Sequence, residues 1–360
     1  MLKKAAALFF IGASSIIGLS CGKTENNFLY AAIPGSSQIA IYREDPNSGI
    51  LTALVNSPFT AGPAVQSLVI HPSRKFLYAA NSGEADISLF TIANDGTLTE
   101  VTPRTSVGTG ANTPTILAMD SAGSFLYVGN SGASFPSLSV FSIDASSGNL
   151  TAVSGSPFAT GLTPLNIKVT PNGTALYVSG PGSPGFIEVW SLVSGVPQSV
   201  IQAVQPGTNP YGLAIDSTGS HLYVANTGDA SIGQYSISAT DGTLTMIAPA
   251  FGQTVSAPVS LLVDNSGKYL YVANNQSPGF LTAYGIGSDG SLTLLTASPF
   301  TTPTNPVFIA TDPSGKYLFV GNQASGAVIQ SFSLNASTGS LTSVASYSVG
   351  TTPSSIVVLP

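Results

Sequence analysis

Charged residues, histidines and cysteines are scarce in this sequence. Only 7% of the 360 residues are Asp, Glu, Lys or Arg, and there are two histidines and one cysteine. A single cysteine cannot form an internal disulfide, and neither paired cysteines nor a His-x-x-x-His spacing offers a transition-metal site. The net charge of −6, without a basic cluster, argues against nucleic-acid binding, which needs aligned Lys and Arg side chains. We therefore expect neither a metal nor another cofactor.

Apolar residues and turn formers are abundant instead. Hydrophobic residues make up 43% of the chain, enough for a large core, and 38 glycines and 25 prolines indicate many turns. The polar surface must come mainly from Ser, Thr, Asn and Gln. No stretch shows sustained helical periodicity, so the sequence predicts an all-β protein.

One short phrase recurs along the chain and defines its organisation. Leu-Tyr-Val-Ala-Asn stands in full at Leu222–Asn226 and at Leu270–Asn274. Successive copies begin 46 to 50 residues apart, a period that accommodates four short strands. The sequence thus predicts a seven-bladed β-propeller with four-stranded blades. Looser copies begin at Leu29, Leu77, Leu126, Leu176 and Leu318.

The two ends of the chain predict how the ring closes. The repeat region begins with the second strand of a blade, Phe28–Ile33, and ends with a spare first strand, Ser354–Leu359. We expect the C-terminal strand to become the innermost strand of the N-terminal blade, which would remove the exposed sheet edges. Residues 28–360 then form one ring-shaped domain. We call the face that carries the loops between second and third strands the top face. The Asp-x-x-Gly and Gly-x-Leu-Thr turns lie on the bottom face.

The N-terminal residues read as an export signal. Lys3 and Lys4 precede the apolar run Ala5–Leu19, which is short for a membrane span, so residues 1–20 are interpreted as a signal peptide. Cys21 follows at the cleavage position and resembles the lipidated cysteine of a bacterial lipobox, with residues 21–27 as a tether. The alternative is an ordinary cleaved signal with an incidental cysteine. These features predict an exported monomer in the periplasm or at the cell surface, specifically an outer-membrane lipoprotein that contacts the membrane through its lipid alone.

The predicted top face offers a ring of amides and one unusual blade. An asparagine ends the second strand in five blades. These amides could line the channel mouth and contact a hydroxylated or carboxylated ligand; alternatively, each amide forms hydrogen bonds with backbone groups of the adjoining loop. In blade 4 Gly180 replaces this asparagine, and alternation places Asn166 and Lys168 where other blades have small or apolar residues. Lys168 is the strongest single candidate for a site residue, against the alternative of a solvated channel lysine. The five asparagines are Asn81, Asn130, Asn226, Asn274 and Asn322.

A few other ionisable residues are expected to approach the top face. Arg104 is the remaining cation there, and Glu84, Asp86 and Asp229 in top loops are candidates for a general base. Each acid can equally be a solvated loop residue. His71 and His221 fall near bottom turns, so structural roles are expected for both.

The phrase Tyr-Val-x-Asn, with its blade-long period and its Asp-x-x-Gly turn, resembles the lactonase-like seven-bladed propellers. This family includes bacterial 6-phosphogluconolactonase, fungal carboxymuconate-cyclizing enzymes and surface proteins with "YVTN" repeats. The resemblance covers about Phe28 to Pro360. It implies a propeller fold and, for catalytic members, a metal-free site of Arg, His and carboxylate groups on the top face.

Three functions are compatible with these observations. The favoured one is a binding module that takes a small molecule or a protein at its top face. The alternative is a metal-free hydrolase of an unphosphorylated, sugar-type lactone, which would use Glu84, Asp86 or Asp229 as base and Arg104 or Lys168 as electrophile. A metal-dependent lactonase or dehydrogenase would need clustered ligands that the sequence lacks. The first two differ in whether Lys168 or Arg104 meets a carboxylate at the channel mouth.

Overall fold

The chain forms seven small antiparallel sheets arranged as the blades of a propeller. The computed structural model describes residues 27–110, 113–132, 136–253, 256–323 and 326–359. The predicted signal peptide, Cys21 and all but the last residue of the predicted tether lie outside these ranges. Among the described residues there is no α-helix, only a short 3-10 turn at Pro34–Ser36, and no helix long and apolar enough to cross a bilayer.

The strands are numbered β1 to β31 in chain order. Blades 1 to 3 use β1 Asn27–Ile33, β2 Gln38–Glu44, β3 Leu51–Ala53, β4 Phe59–Thr60, β5 Val65–Ile70, β6 Phe76–Asn81, β7 Asp86–Ile92, β8 Leu98–Ser106, β9 Pro114–Met119, β10 Phe125–Asn130, β11 Ser137–Ile143, β12 Leu150–Ala152 and β13 Phe158–Ala159. Blades 4 and 5 use β14 Asn166–Val169, β15 Ala175–Gly180, β16 Phe186–Val193, β17 Val196–Val204, β18 Pro210–Ile215, β19 His221–Asn226, β20 Ser231–Ile237 and β21 Leu244–Gln253. Blades 6 and 7 use β22 Pro258–Val263, β23 Tyr269–Asn274, β24 Gly279–Ile286, β25 Leu292–Leu294, β26 Phe300–Thr302, β27 Pro306–Thr311, β28 Tyr317–Asn322, β29 Val328–Leu334 and β30 Leu341–Ser348, and β31 is Ser355–Leu359.

The predicted closure is confirmed. Strand β31 pairs antiparallel with β1, so the C-terminal strand is the innermost strand of blade 1. Each of the other blades is continuous in sequence, and its strands follow one another outwards from the channel. The repeat therefore predicted both the number of blades and the way the ring is joined.

The tyrosine of the repeated phrase joins a blade to the next one at six of the seven interfaces. Its side chain is fully buried, and its hydroxyl donates to the carbonyl of the glycine that opens the outer strand one blade further on. At one representative interface Tyr127 Oη lies 2.7 Å from Gly195 O. Burial raises the pKa of Tyr127, so the phenol stays protonated and able to donate. The six pairs are Tyr30–Gly96, Tyr78–Gly148, Tyr127–Gly195, Tyr177–Gly242, Tyr223–Gly290 and Tyr271–Gly339.

Three blades interrupt their outermost strand at a Ser-Pro-Phe sequence. In blade 1 the outer strand is split into β3 and β4, and the Ser57 hydroxyl accepts a hydrogen bond from the backbone N–H of Ile41. Ser156 and Ser298 do the same in blades 3 and 6. The serine replaces the ladder hydrogen bond that the break would otherwise leave unmade. The interruption is thus part of the blade's construction.

Candidate functional site

Two chambers follow one another along the central channel. The upper chamber, at the top face, has a volume of about 630 Å³, and the lower chamber has about 560 Å³. Both sizes suit a small ligand. Asn166, Ser260 and Phe308, on the inner strands of blades 4, 6 and 7, line both chambers and mark the boundary between them.

The upper chamber is lined by amides, hydroxyls and a phenol among apolar side chains. Gln66, Thr115, Tyr211 and Gln323 contribute to its wall, each from a different blade. The Tyr211 side chain is 44% exposed there, although it lies on an inner strand. Its partly free ring offers a flat surface for the apolar face of a ligand, and its hydroxyl offers a polar end.

Some hydroxyls of the upper chamber are used to hold the ring together. Ser355 Oγ accepts from Leu68 N and Ser67 Oγ accepts from Leu117 N, each at 3.1 Å. Ser354 Oγ donates to Gln66 O at 2.7 Å. These contacts join the inner strands of neighbouring blades, whose channel-facing edges have no sheet partner. Further hydroxyls in the wall belong to Thr351, Thr352 and Ser260.

The upper chamber is uncharged. No Asp, Glu, Lys, Arg or His is among its described lining residues. The chamber can therefore form neutral hydrogen bonds and apolar contacts, but it offers no ionised side chain as a general base or as a partner for a phosphate.

Lys168 lies in the lower chamber, not at the top face as the sequence suggested. It shares this chamber with His71 and Pro72 of a bottom turn. The reason is strand geometry, because Asn166 begins the inner strand β14 and Lys168 is two residues further down it. Asn166 does reach the upper chamber. Lys168 therefore meets no carboxylate at the channel mouth.

Arg104 meets several carboxylates, but far from the channel. Its Nη1 lies 2.8 Å from Glu84 Oε2 and 4.0 Å from Asp86 Oδ2, and its Nε lies 2.7 Å from Glu100 Oε1. These residues belong to β7, β8 and the loop before β7, which form the outer part of blade 2. None of them lines either chamber. The cluster is an ion-pair network on one blade.

The hydrogen bonds of this network tie it to the ring of asparagines. Asn81 Nδ2 donates to Asp86 Oδ1 at 2.7 Å and to Ser88 Oγ, and Ser88 Oγ donates to Glu100 Oε1. Burial raises the pKa of Asp86 despite these contacts. Burial also acts to raise the pKa of Glu100, but the hydrogen bonds from Arg104 and Ser88 outweigh it and leave that pKa below its usual range. Burial and the hydrogen bonds thus shift the pKa values of Asp86 and Glu100 in opposite directions.

The five asparagines that end the second strands are all completely buried. Their Nδ2 groups donate within their own blade or its adjoining loop, as from Asn130 to Ser139 Oγ at 2.9 Å and from Asn226 to Pro206 O at 2.8 Å. None of the five is among the lining residues of either chamber. Their geometry agrees with the constructional interpretation, in which the amide fixes the loop that follows. The set comprises Asn81, Asn130, Asn226, Asn274 and Asn322.

The remaining candidates serve turns and loops. Asp229 is exposed, and its Oδ2 accepts from the backbone N–H of Thr208 in the neighbouring top loop. His71 is buried, with Nε2 2.9 Å from Gly123 O and Nδ1 next to Ser73. His221 Nδ1 lies 2.8 Å from Asp216 Oδ2 in a bottom turn. Among the residues that the structure describes, no group of three or more His, Cys, Asp or Glu side chains could hold a metal ion.

Sequence reasoning did not single out Tyr211, Gln66 or Gln323. A signal was present for Tyr211, because the residue after the strand-opening proline is apolar or a threonine in blades 3, 4, 6 and 7. Its exposure depends on the tilt of the inner strands around the channel, which the sequence does not give.

Comparison with known proteins agrees with this architecture. The family model described as "Lactonase, 7-bladed beta-propeller" matches residues 56–161 and 249–358. A 6-phosphogluconolactonase from Cronobacter sakazakii is 36% identical over 105 residues, and this match spans 28% of the chain and only 29% of that protein.

Solved structures match over nearly the whole chain. A Bacteroides fragilis protein, provisionally assigned as a 6-phosphogluconolactonase, has a TM-score of 0.80 at 20% identity and covers 94% of this chain and 99% of its own. The periplasmic gluconolactonase of Pseudomonas aeruginosa has a TM-score of 0.76 at 18% identity, with 92% and 98% covered. At such identities the likeness concerns the fold.

Proposed function

Since the chain belongs to the seven-bladed lactonase family of β-propellers, we propose that it binds an uncharged, hydroxyl-rich small molecule of the sugar-lactone type in its upper chamber. The observation that carries this proposal is the wall of that chamber, which combines amides, hydroxyls and the Tyr211 ring without an ionised side chain. Hydroxyl groups of the ligand would exchange hydrogen bonds with neutral donors and acceptors, and its less polar face would contact Tyr211.

The same wall argues for binding rather than hydrolysis. Water attack on a lactone needs a general base within hydrogen-bond reach, directly or through one water. The carboxylates around Arg104 are in the outer part of blade 2, and Lys168 is in the lower chamber. A phosphorylated lactone is disfavoured for a further reason, because its dianion would meet no cation among the described residues that line the upper chamber.

The test is a titration of the purified chain with freshly dissolved glucono-1,5-lactone and with its 6-phosphate, followed by calorimetry for binding and by a pH-stat for hydrolysis. We expect the neutral lactone to bind at least about tenfold more tightly than the phosphate, since an unpaired charge would be desolvated. Hydrolysis should stay at the spontaneous rate. Tyr211→Ala should weaken binding, whereas Phe186→Ala, which removes an aromatic ring that is 38% exposed and lines neither chamber, should not. Absence of binding by the wild type would refute the proposal.

Hydrolysis of an unphosphorylated lactone remains the alternative function. Its support is the family itself and the relative named as a 6-phosphogluconolactonase. If the pH-stat records turnover above the spontaneous rate, Asp86→Asn is the variant that tests the base, because burial raises the pKa of Asp86 above its usual value and Arg104 lies within the same cluster. Loss of turnover in that variant would indicate that the catalytic site lies on blade 2 and not in the channel.

We also propose, from the N-terminal sequence alone, that the protein is exported and anchored by a lipid on Cys21. Expression of the full chain in a bacterial host should place the wild type in the outer-membrane fraction. Cys21→Ala should release it in soluble form or leave the signal uncleaved. An unlipidated wild-type protein would contradict the anchor while leaving export intact.

A further inference from the structure

The lower chamber differs from the upper one in being largely apolar. Its wall is formed by the inner strands below the boundary at Asn166, Ser260 and Phe308. Partly exposed aliphatic and aromatic side chains dominate it, with a volume of about 560 Å³ between them. The side chains that a ligand would meet include Ile70, Leu262, Phe308, Ala310, Val357 and Val358.

Lys168 is the only lysine or arginine among the described residues of this wall, and no Asp or Glu lines it. Water reaches the lysine side chain through the channel, yet protein atoms surround it, and this burial lowers the pKa of its ammonium group. The other titratable group in the wall is His71, whose two ring nitrogens already contact Ser73 and Gly123 O. The charge of Lys168 thus has no acidic partner in the chamber.

The propeller does not require a lysine at this position. Lys168 pairs with Tyr177, and the residue paired with the corresponding aromatic residue is alanine, valine or leucine in all six other blades. An apolar residue therefore builds the same strand, and the fold itself does not require the ammonium group that Lys168 exposes to the channel. The six counterparts are Val69, Ala118, Ala214, Leu262, Ala310 and Val357.

We propose that the lower chamber is a binding site for a small organic monocarboxylate with an aliphatic body. The ligand's carboxylate pairs with Lys168 Nζ, and the Asn166 amide at the boundary is placed to donate a second hydrogen bond. The body of the ligand contacts Leu262, Val357 and their neighbours. One cation matches one carboxylate, so dianions and cations are selected against. This site is separate from the upper chamber and does not depend on the function proposed there.

The test uses three probes of the same length: hexanoate, hexanamide and hexylamine. Calorimetry or ligand-observed NMR on the purified chain at pH 7 should show hexanoate binding at least about tenfold more tightly than hexanamide, as expected for a charge-assisted hydrogen bond in a partly dry site. Hexylamine should not bind measurably. The proposal is wrong if hexanamide binds as well as hexanoate. It is also wrong if the wild type does not bind hexanoate at about 20 mM, a concentration roughly ten times the weakest Kd expected of such a probe.

Variants assign the binding to the lysine. Lys168→Met, which keeps an unbranched apolar side chain but removes the ammonium group, should weaken the binding of hexanoate by about tenfold and change the binding of hexanamide by no more than about twofold. Lys168→Arg should retain most of the affinity for hexanoate. Lys268→Met removes the same charge from an exposed bottom turn and should bind like the wild type. Unchanged hexanoate binding by Lys168→Met would overturn the assignment to this lysine. If a variant fails to fold, the comparison of hexanoate with hexanamide in the wild type still tests the proposal.

Discussion

The interface that closes the ring differs from the six others. At those six, a buried tyrosine hydroxyl donates to a glycine carbonyl of the next blade. Between blades 7 and 1, Phe319 stands in the place of the tyrosine and has no hydroxyl to offer Gly49. The closing interface therefore packs the same apolar surfaces without the polar contact that the rest of the ring repeats.

A second difference lies on the same interface. The residue two places after the aromatic of the third strand is isoleucine or leucine in blades 2 to 7, but in blade 1 it is Glu44. Glu44 is 1% exposed, and within the described part of the chain neither of its carboxylate oxygens has a hydrogen-bond partner of good geometry. Burial and the nearby charge of Asp312 raise its pKa to about 8, and the adjacent Asn27 amide offsets only part of this. The aliphatic counterparts are Ile92, Ile143, Leu192, Ile237, Ile286 and Leu334.

The comparison teaches where a repeat protein can depart from its repeat. Six interfaces join blades that are each built from one stretch of chain, whereas blade 1 is assembled from both ends and held by the pairing of β31 with β1. That main-chain pairing supplies closure independently of the side chains between blades 7 and 1. A less favourable set of side chains is tolerated there, and it includes an acid that titrates near neutral pH.

The largest expected effect comes from giving blade 1 the residue that the other blades have. Glu44→Leu should stabilise the protein at pH 9 by about 5 kcal/mol, because the difference between a pKa of about 8 and the usual 4.5 corresponds to about 1.4 kcal/mol for each unit. Chemical denaturation at equilibrium measures the difference. A lower stability of Glu44→Leu at pH 9 would show that the carboxylate has a favourable partner.

The pH profile of the same pair separates titration from packing. Because the folded pKa of Glu44 lies above its unfolded value, the folded state holds the proton more tightly. The stability associated with this group is fully present below about pH 4.5 and is lost as the pH rises towards 8. Glu44→Gln, which cannot ionise, should match the wild type near pH 4 and exceed it increasingly up to pH 8. A constant difference across this range would point to packing instead.

A smaller effect is expected at any of the six tyrosine interfaces. Tyr127→Phe leaves the apolar contacts in place but removes the donor to Gly195 O, and the loss of this partly buried hydrogen bond should cost about 1 kcal/mol. Denaturation of this variant should show that loss at all pH values from 5 to 8, unlike the Glu44 variants. An unchanged stability would mean that the glycine carbonyl finds another donor.

The sequence predicted the fold further than it predicted the candidate site. The periodic Leu-Tyr phrase and the split first blade were enough for the number of blades and for closure, because each blade repeats local strand and turn signals. The partner of Tyr127 could not be predicted in this way, since Gly195 is 68 residues away and belongs to a turn that lacks the usual Gly-x-Leu-Thr. Residue type alone also could not tell that Arg104 meets its carboxylates in the outer part of blade 2.

The position of a residue along the channel axis could not be predicted from the sequence either. Alternation correctly grouped Asn166 with Lys168, yet Asn166 lies at the boundary and lines both chambers, whereas Lys168, two residues further along β14, lines the lower chamber alone. The unusual position of Glu44, in contrast, can be recognised in the sequence, because the seven third strands can be aligned on their aromatic residue. A departure from the repeat at a buried position is the most direct sequence signal for an unusual ionisable group.

The smallest expected effect restores the missing contact at the closing interface. Gly49 has a positive φ of 67°, like the glycines that accept from the tyrosines elsewhere, and it lies beneath Tyr317 as Gly96 lies beneath Phe28. Phe319→Tyr should therefore place a hydroxyl near Gly49 O and stabilise the protein by about 1 kcal/mol. The matched control is Phe332→Tyr, which adds the same hydroxyl to another buried phenylalanine of blade 7 and should not stabilise the protein. If Phe319→Tyr stabilises no more than the control, blades 7 and 1 are set at a different spacing from the other pairs, and Glu44 rather than the lost hydroxyl defines this interface.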